Sequence, residues 1–319
     1  MTEPVPVEAP TAWHGDALSE SDWLVPLPPA CSRALDGPRE HPAPELAELA
    51  THVTRRVRNG RGFVVIRGLP VDGRTDQECA ELCHRLAASL GTPWPAEPGG
   101  FITVADNAGL GRTNLALTPH TDRTPAPRPP KLLGLLSVRA AALGGGTLLA
   151  SGHAVHNRLL TEAPWAIPRL YQDFHFGRGA GFDRIRPVFQ RHGAELRVHY
   201  NRRGIERAHH VAGAPLTPDD HAALDAVDRI LSDPRILLRI PLHPGDLLWL
   251  DNTAVLHGRT AFTDPPAPSA PRCLTRVWAD LAEPTPGRSR RTRAAAPELR
   301  WGTGPTNGMS TPGPGGERP

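Results

Sequence analysis

Lysine is almost absent from this chain, cysteine is scarce, and no apolar run is long enough to span a membrane. Of the 36 basic residues only Lys131 is a lysine, and the formal net charge is +3. The body of the chain has no stripe of basic residues with interleaved aromatics, so we expect no nucleic-acid partner. The first residues lack the basic and apolar regions of a secretory signal, and no stretch of about 18 apolar residues exists. We therefore expect a cytoplasmic protein without a membrane partner.

The cysteines form neither a disulfide framework nor a zinc pattern. Cys31 and Cys273 are isolated in the sequence, whereas Cys79 and Cys83 lie on a predicted helix and are followed by His84. Such a group offers metal ligands, but small buried apolar positions are the commoner use of free cysteines. The sequence therefore favours core positions over a metal site for this pair.

Proline and glycine are abundant, with 37 and 31 residues. This composition favours turns and short elements over long helices. We expect a flexible leader at residues 1–12 and one domain at residues 13–283. Residues 284–319 are rich in Pro, Gly, Arg and Thr and poor in apolar residues, which predicts a disordered tail.

Apolar periodicity predicts a few helices and many short strands. Helical spacing indicates helices at 44–58 and 218–232, and a capping box of Thr75 and Glu78 begins a third helix that stops near Gly91. Short strands with a few helices outside them are typical of a closed or sandwiched β-fold. The predicted class is therefore mainly β with flanking helices. The predicted strands are 62–68, 132–138, 147–150, 236–242, 246–251 and 273–280.

The segment TPHTDRTP (118–125) places His120 and Asp122 two residues apart. In an extended chain, residues i and i+2 point to the same face and lie about 6–7 Å apart, so this pair can bind one metal ion. Alone the pattern is weak, because a surface histidine beside a surface aspartate has the same spacing. A third ligand is needed to favour a metal site.

The segment GDLLWLDNTAVLHGRTAF (245–262) supplies that third ligand. It reads as a turn, a strand, Asn252 and then His257 inside an apolar stretch. A buried histidine needs a partner for at least one ring nitrogen, and either a metal or a backbone group provides one. Two histidines with one carboxylate are the ligand set of non-haem iron oxygenases, in which the remaining coordination positions accept a bidentate cosubstrate and O₂.

The segment PRCLTRVWAD (271–280) carries two arginines. In a strand, Arg272, Leu274, Arg276 and Trp278 point to one face. A buried guanidinium is costly unless it meets an anion, and it pairs with a carboxylate through a two-pronged fork. Beside a metal site, two such residues predict two anionic ligands. The alternative is an edge strand whose arginines face water.

Together these segments resemble the TauD/TfdA (taurine dioxygenase-like) Fe(II)/2-oxoglutarate-dependent oxygenase superfamily, and within it the clavaminate synthase-like branch. The resemblance runs from about residue 20 to about residue 283. It implies a double-stranded β-helix, also called a jelly roll and cupin-like, with the iron at its open end. The segments that carry it are HTD (120–122), GGGTLLASG (144–152), PGDLLWLDNTAVLHGRTAF (244–262), the two arginines, GFVVIRGLPVDG (62–73) and YNRRGIE (200–206).

The resemblance also implies a role for each site residue. The two histidines and Asp122 would bind Fe(II), with 2-oxoglutarate and O₂ as cosubstrates. Arg272 would hold the distal carboxylate of 2-oxoglutarate with help from Thr147, and Arg276 would bind the acidic group of the substrate. Asn252 is expected at the same substrate site. The carboxylate of Asp122 argues against a halogenase, because related halogenases have a small residue there.

The predicted activity is hydroxylation of an unactivated C–H bond in a small molecule, with desaturation or ring closure as further outcomes. The expected substrate bears a carboxylate, as an amino acid or a natural-product intermediate does, and is either free or tethered to a carrier protein. Two other classes stay open: a cupin-like metal hydrolase or isomerase that does not use 2-oxoglutarate, and a non-catalytic ligand-binding module. The sequence predicts no particular oligomeric state.

Overall fold

The computed structural model describes residues 4–37, 44–95, 101–102, 113–177, 184–266 and 269–282. The predicted tail at 284–319 lies outside these residues. The α-helices are Glu20–Trp23 (α1), Pro29–Asp36 (α2), Pro44–Asn59 (α3), Asp76–Leu90 (α4), Gly152–Glu162 (α5), Ile167–Leu170 (α6), Arg202–Val211 (α7) and Pro218–Leu231 (α8). Short 3₁₀ helices occupy Gly15–Ala17 and Pro164–Ala166.

The strands are short, as the proline and glycine content predicts. They are Leu24–Pro26 (β1), Phe63–Arg67 (β2), Gly91–Pro93 (β3), Phe101–Ile102 (β4), Leu117–His120 (β5), Leu132–Arg139 (β6), Leu143–Gly144 (β7), Thr147–Ser151 (β8), Asp173–Phe176 (β9), Arg184–Pro187 (β10), Phe189–His192 (β11), Glu195–Val198 (β12), Leu238–Ile240 (β13), Leu247–Asp251 (β14), Val255–Arg259 (β15), Phe262–Thr263 (β16) and Cys273–Leu281 (β17). The predicted mainly β class with flanking helices is confirmed.

Two sheets form the centre of the domain. The major sheet has the order β1-β2-β14-β6-β17-β3, with β4 beside β17, and the minor sheet has the order β13-β8-β15-β5. The non-sequential order arises because the chain crosses repeatedly between the sheets, as in the predicted jelly roll. The described strand pairs do not join the two sheets into a closed barrel.

Alternating side chains of the major sheet build a core on each of its faces. In β2, Phe63 and Val65 face the minor sheet and pack in one cluster with Leu149. Val64 and Ile66 point the other way and pack with residues of α3 and α4. This period of two explains why residues 63–66 are all apolar, since both faces of the strand are buried there.

A second set of helices covers the minor sheet. Residues of α5, α6 and α8 pack with Ala150 of β8 and Leu256 of β15 in one apolar cluster. The helix α8 begins at the Thr217–Asp220 capping box. No helix among the described residues is long and apolar enough to cross a membrane.

The described part of the predicted flexible leader is bonded to the domain. The backbone of Val7 makes two hydrogen bonds with the side-chain amide of Asn157, at 2.8 and 3.0 Å. The hydroxyl of Thr11 lies 2.7 Å from Nδ1 of His153. Residues 4–12 therefore differ from the expectation of a free leader, because polar side chains of α5 bond to Val7 and Thr11.

All four cysteines are buried and free, as the sequence favours. Cys79, Cys83 and Cys273 lie in the apolar layer between α4 and the major sheet. Burial raises the pKa of each thiol, for Cys83 to about 12. The side chain of His84 is exposed. These cysteines are therefore apolar core residues, because a buried thiol that keeps its proton is a poor metal ligand.

Candidate metal centre

Three side chains meet between the two sheets. His120 ends β5, His257 lies opposite it in β15 as its Cα partner, and Asp122 follows in the turn after β5. One ligand atom from each residue lies within 4.8 Å of the others. Oδ1 of Asp122 is 3.5 Å from Nε2 of His120 and 3.7 Å from Nε2 of His257. This spacing suits donors around a single ion, each about 2 Å from it.

The structure brings the predicted ligands together by a different local geometry. The sequence predicts His120 and Asp122 on one face of a strand, but β5 ends at His120 and Asp122 lies in a turn. The turn, and not the pleat, therefore aims the carboxylate at both imidazoles. Among the residues that the structure describes, no other trio of His, Cys, Asp or Glu side chains comes as close.

Both imidazoles are prepared to bind a metal through Nε2. Nδ1 of His120 lies 2.9 Å from the carbonyl of Thr118, which fixes the proton on Nδ1. The lone pair of Nε2 is then available to bind a metal. Burial, reinforced by the neighbouring His120, lowers the pKa of His257 to about 3, so this ring is neutral near pH 7. A neutral imidazole is the form that coordinates metals.

Asp122 is buried and ionised. Burial opposes the charge, but Arg276 together with the two histidines outweighs it and holds the pKa of this carboxyl well below its usual range. The indole N–H of Trp278 donates to Oδ2 at 3.0 Å, and Nη1 of Arg276 lies 3.3 Å from the same oxygen. With Oδ2 occupied, Oδ1 is the oxygen that faces the histidines. The residues present fit a divalent iron held by two imidazoles and one carboxylate oxygen.

The side-chain amide of Asn252 holds the backbone around Asp122. Its oxygen accepts a hydrogen bond from the Asp122 N–H at 2.7 Å, and its nitrogen donates to the carbonyls of Asp122 and Pro130 at 3.0 Å each. Asn252 is 1% exposed. The structure thus places Asn252 behind the metal ligand, and not at the surface of a substrate pocket as expected from the sequence.

Thr121, which lies between His120 and Asp122 in the sequence, is held by the backbone of Tyr200. Its N–H donates to the carbonyl of Tyr200 at 2.7 Å, and its hydroxyl accepts from the Tyr200 N–H at 3.0 Å. The phenol of Tyr200 donates in turn to Asp228 on α8 at 2.5 Å. The YNRRGIE segment therefore supports the backbone between His120 and Asp122, two of the candidate metal ligands. The sequence analysis predicts no role for Thr121 or Tyr200. The position of Tyr200 in the YNRRGIE segment, which carries part of the family resemblance, could have indicated one.

Arg272 lies just before β17, in a buried cationic pair. It is 5% exposed, as is Arg259, and both guanidinium carbons lie 4.9 Å from the ring centroid of Phe262. Burial, followed by the charge of Arg259, lowers the pKa of Arg272 to about 10. A buried guanidinium is costly unless it meets an anion, and the charge of Asp264 offsets only part of this effect on the pKa of Arg272. Arg259 was not singled out from the sequence, and only its burial reveals it.

The glycine run beside this pair leaves space for the Arg272 side chain. Gly145 has φ +72°, and a Cβ at this position would lie 3.0 Å from Nε of Arg272. Its carbonyl accepts a long hydrogen bond of 3.4 Å from Arg272. Thr147 is buried two residues further along, at the start of β8.

Arg272, just before β17, and Arg276, within it, lie in different surroundings. The pairing of β17 with β6 is irregular between Cys273 and Leu274, so the strict two-residue alternation stops short of Arg272. Arg276 stacks on Trp278 at 4.1 Å and contacts the metal ligand Asp122. The structure therefore separates two cationic positions, one at Phe262 and one beside the metal ligands.

Replacing Trp278 by phenylalanine is expected to weaken Fe(II) binding by about ten- to a hundredfold, the usual effect of losing a group that orients a metal ligand. The ring is retained, but Oδ2 of Asp122 loses its 3.0 Å donor. Anaerobic iron titration measures the effect. Trp94→Phe is the matched control, because the indole of Trp94 donates to Asp280, outside the metal site. Equal affinities in both variants would remove Trp278 from this role.

Comparison with known proteins identifies relatives with this fold and this type of site. A family model described as "Taurine catabolism dioxygenase TauD, TfdA family" matches residues 24–278. The FR-33289 synthase of Streptomyces rubellomurinus is 26% identical over 261 residues, covering 75% of this chain and 75% of that protein. A uridine-5'-phosphate dioxygenase of a Streptomyces species is 32% identical over 155 residues, covering 44% of this chain and 53% of that protein.

A solved structure confirms the fold. The chain aligns with an asparagine oxygenase in complex with Fe(II), 2S,3S-3-hydroxyasparagine and succinate, with a TM-score of 0.62 and 19% identity. The alignment covers 81% of this chain and 93% of that one. The predicted jelly roll is therefore confirmed.

Proposed function

The chain belongs to the TauD/TfdA dioxygenase family, and from that premise we propose that His120, Asp122 and His257 hold its Fe(II) and that its substrate is a small molecule that bears a carboxylate. The enzyme is a non-haem Fe(II)- and 2-oxoglutarate-dependent oxidoreductase. The observation that carries the assignment of the ligands is their convergence within 4.8 Å between the two sheets. When bound, iron and 2-oxoglutarate convert O₂ into an oxidant for an unactivated C–H bond, with release of succinate and CO₂.

The protein positions and protects this chemistry. Arg272 binds the distal carboxylate of 2-oxoglutarate, because its buried guanidinium already lies in a cationic pair that an anion would stabilise. Thr147, buried close to the same glycine run, assists it. Asn252 and Thr121 keep the ligand turn rigid, so that the carboxylate of Asp122 stays aimed at both imidazoles. Rigid placement of this kind is what makes a reactive site selective.

Arg276 recognises the acidic group of the primary substrate. Its guanidinium lies 3.3 Å from Oδ2 of Asp122. An acidic group that binds to Arg276 would therefore lie close to the metal site. The names of relatives refer to an asparagine oxygenase, a synthase and a nucleotide dioxygenase. By analogy, the substrate class is an amino acid or a natural-product intermediate, either free or tethered to a carrier protein.

The two alternative functions fit the site less well. A cupin-like metal hydrolase or isomerase does not bind 2-oxoglutarate, so it would supply no carboxylate cosubstrate for the buried guanidinium of Arg272. A non-catalytic binding module would not require all three metal ligands in coordinating geometry. The family match adds to both arguments.

A panel of candidate substrates tests the proposal. The full-length protein is incubated with Fe(II), 2-oxoglutarate, O₂ and each of a set of free amino acids, carrier-tethered amino acids and other small anions. We expect one class to increase succinate release and to gain one oxygen atom, or to lose two hydrogens, by mass spectrometry. Succinate release that is stimulated only by molecules without an acidic group would contradict this substrate class.

A further inference from the structure

The residue after the candidate metal ligand Asp122 has a backbone conformation that side-chain-bearing residues rarely adopt. Arg123 has a φ of 56°, and among the described residues it is the one non-glycine position with positive φ. The left-handed region costs free energy for any residue with a Cβ, and a residue stays there only when its surroundings enforce it. Because such strain is concentrated at functional sites, it points to a function for the placement of this side chain.

Hydrogen bonds on both sides of Arg123 enforce this conformation. The carbonyl of Asp122, in the preceding peptide group, accepts from the side-chain amide of Asn252 at 3.0 Å. The carbonyl of Arg123, in the following peptide group, accepts from the N–H of Ala126 at 2.9 Å. The carbonyl of Ala126 accepts in turn from Nη2 of Arg186 at 2.6 Å. Because both flanking peptide groups are held, the direction of the Cα–Cβ bond of Arg123 is fixed.

The side chain that leaves this backbone lies over the indole of Trp278. The guanidinium carbon of Arg123 is 4.4 Å from the centroid of the ring. Trp278 is 7% exposed and packs in one apolar cluster with Leu135 of β6. A cation–π contact is stronger where water is excluded from the ring, as it is here. The contact therefore restricts the movement of the indole.

The orientation of the indole decides which oxygen of Asp122 is free. The indole N–H donates to Oδ2 at 3.0 Å, whereas Oδ1 lies 3.5 Å from Nε2 of His120 and 3.7 Å from Nε2 of His257. A carboxylate can bind a metal ion through one oxygen or through both. While Trp278 occupies Oδ2, Asp122 supplies one oxygen only. The coordination position that the second oxygen would take then stays open for a cosubstrate.

We propose that Arg123 is a positioning residue that acts on Asp122 through Trp278. Its strained backbone places the guanidinium on the indole, and the indole N–H keeps Oδ2 away from the metal. This inference rests on the proposed function, in which Asp122 holds Fe(II), and extends it to a residue outside the ligand set. It also explains the strain, because glycine would adopt this backbone freely but has no side chain to place on the ring.

A double-mutant cycle tests this order of contacts. The Fe(II) affinity of the full-length protein is measured by anaerobic titration for the wild type, Arg123→Gly, Trp278→Phe and the double variant. Arg123→Gly is expected to weaken Fe(II) binding about two- to fivefold, the size of one cation–π contact. Trp278→Phe keeps a ring but loses the N–H that bonds to Asp122. In that background Arg123→Gly should weaken binding no further, because its effect passes through the lost N–H.

Two further readouts distinguish positioning from a purely structural role. The visible absorption of bound Co(II) reports the number and arrangement of its ligands, and both single variants should change it in the same way, because each frees Oδ2. The unfolding temperature of the metal-free protein should change little in Arg123→Gly, because relief of strain offsets the lost contact. Arg123→Lys keeps a cation and should retain the wild-type spectrum. Arg128→Gly is the matched control, the same substitution at an exposed position of the same loop.

Either of two results would overturn the proposal. One is a wild-type Fe(II) affinity and Co(II) spectrum in Arg123→Gly, and the other is full additivity of the two substitutions in the double variant. If the glycine variant is not folded, Arg123→Met, which keeps the aliphatic stem but loses the cation, replaces it in the cycle. Absence of iron binding by the wild-type protein contradicts the proposed function itself. Normal iron binding that Arg123→Gly leaves unchanged contradicts only the role of Arg123.

Discussion

Replacement of His257 by alanine is expected to abolish Fe(II) binding at micromolar concentrations and, with it, 2-oxoglutarate turnover. The imidazole is one of three protein ligands, and its pKa of about 3 keeps it ready to coordinate at any physiological pH. Four-ligand structural zinc sites bind with about 10–16 kcal/mol, so one ligand is worth about 3 kcal/mol and its loss lowers affinity about a hundredfold or more. His120→Ala should behave alike, since its Nε2 faces the same carboxylate oxygen.

Anaerobic titration of the full-length protein with Fe(II) measures this effect. His156→Ala is the matched control, because His156 is also buried but is hydrogen-bonded to Tyr171 and is outside the candidate metal site. It should lower the free energy of unfolding without changing iron affinity. Unaltered iron affinity in both His120→Ala and His257→Ala would show that these histidines are not ligands.

Replacing Arg272 by alanine and replacing Arg276 by alanine are expected to raise the KM values of two different ligands. Loss of a charged hydrogen-bonding partner from a buried carboxylate costs about 2–5 kcal/mol, which is about thirty- to several-thousand-fold in affinity. Arg272 is 5% exposed, so Arg272→Ala should raise the KM for 2-oxoglutarate within this range and slow succinate formation even without substrate. Arg276 has a side chain that is 28% exposed, so Arg276→Ala should weaken substrate binding by less.

Steady-state kinetics with each ligand varied separately distinguishes the two roles. Arg239→Ala is a suitable control, because Arg239 is exposed in β13, which is outside the metal site. A rise in the same KM in both variants would refute the division of labour. A rise in the KM for 2-oxoglutarate in Arg276→Ala alone would exchange the two assignments.

The spacing of apolar residues predicted the elements that are long enough to repeat it several times. The helix predicted at 44–58 is α3 at Pro44–Asn59, and the one predicted at 218–232 is α8 at Pro218–Leu231. The strand predicted at 236–242 is only Leu238–Ile240. A turn from Asp233 to Ile236 precedes it, and Pro241, which has no N–H, follows it. The hairpins β9–β10 and β11–β12 have strands of four residues, too short for a pattern to predict them.

The three residues of the candidate metal site could be predicted from the sequence, but the contacts that support them could not. His120, Asp122 and His257 are residue types with a known chemistry, and motif order brings them to one site. The hydrogen bonds from Asn252 to Asp122 span 130 positions of the chain, so no local pattern indicates whether this amide faces substrate or backbone. The contact of Arg123 with Trp278 is likewise set by tertiary folding.

We propose that the site of His120, Asp122 and His257 holds an iron that couples O₂ reduction to decarboxylation of 2-oxoglutarate. The most direct test is the yield of succinate from 2-oxoglutarate by the full-length protein, with and without Fe(II), O₂ and an intact Asp122. We predict succinate and CO₂ in equal amounts, formed only when iron and O₂ are both present and lost in Asp122→Ala. Undiminished succinate formation by the metal-stripped protein or by Asp122→Ala would contradict the account.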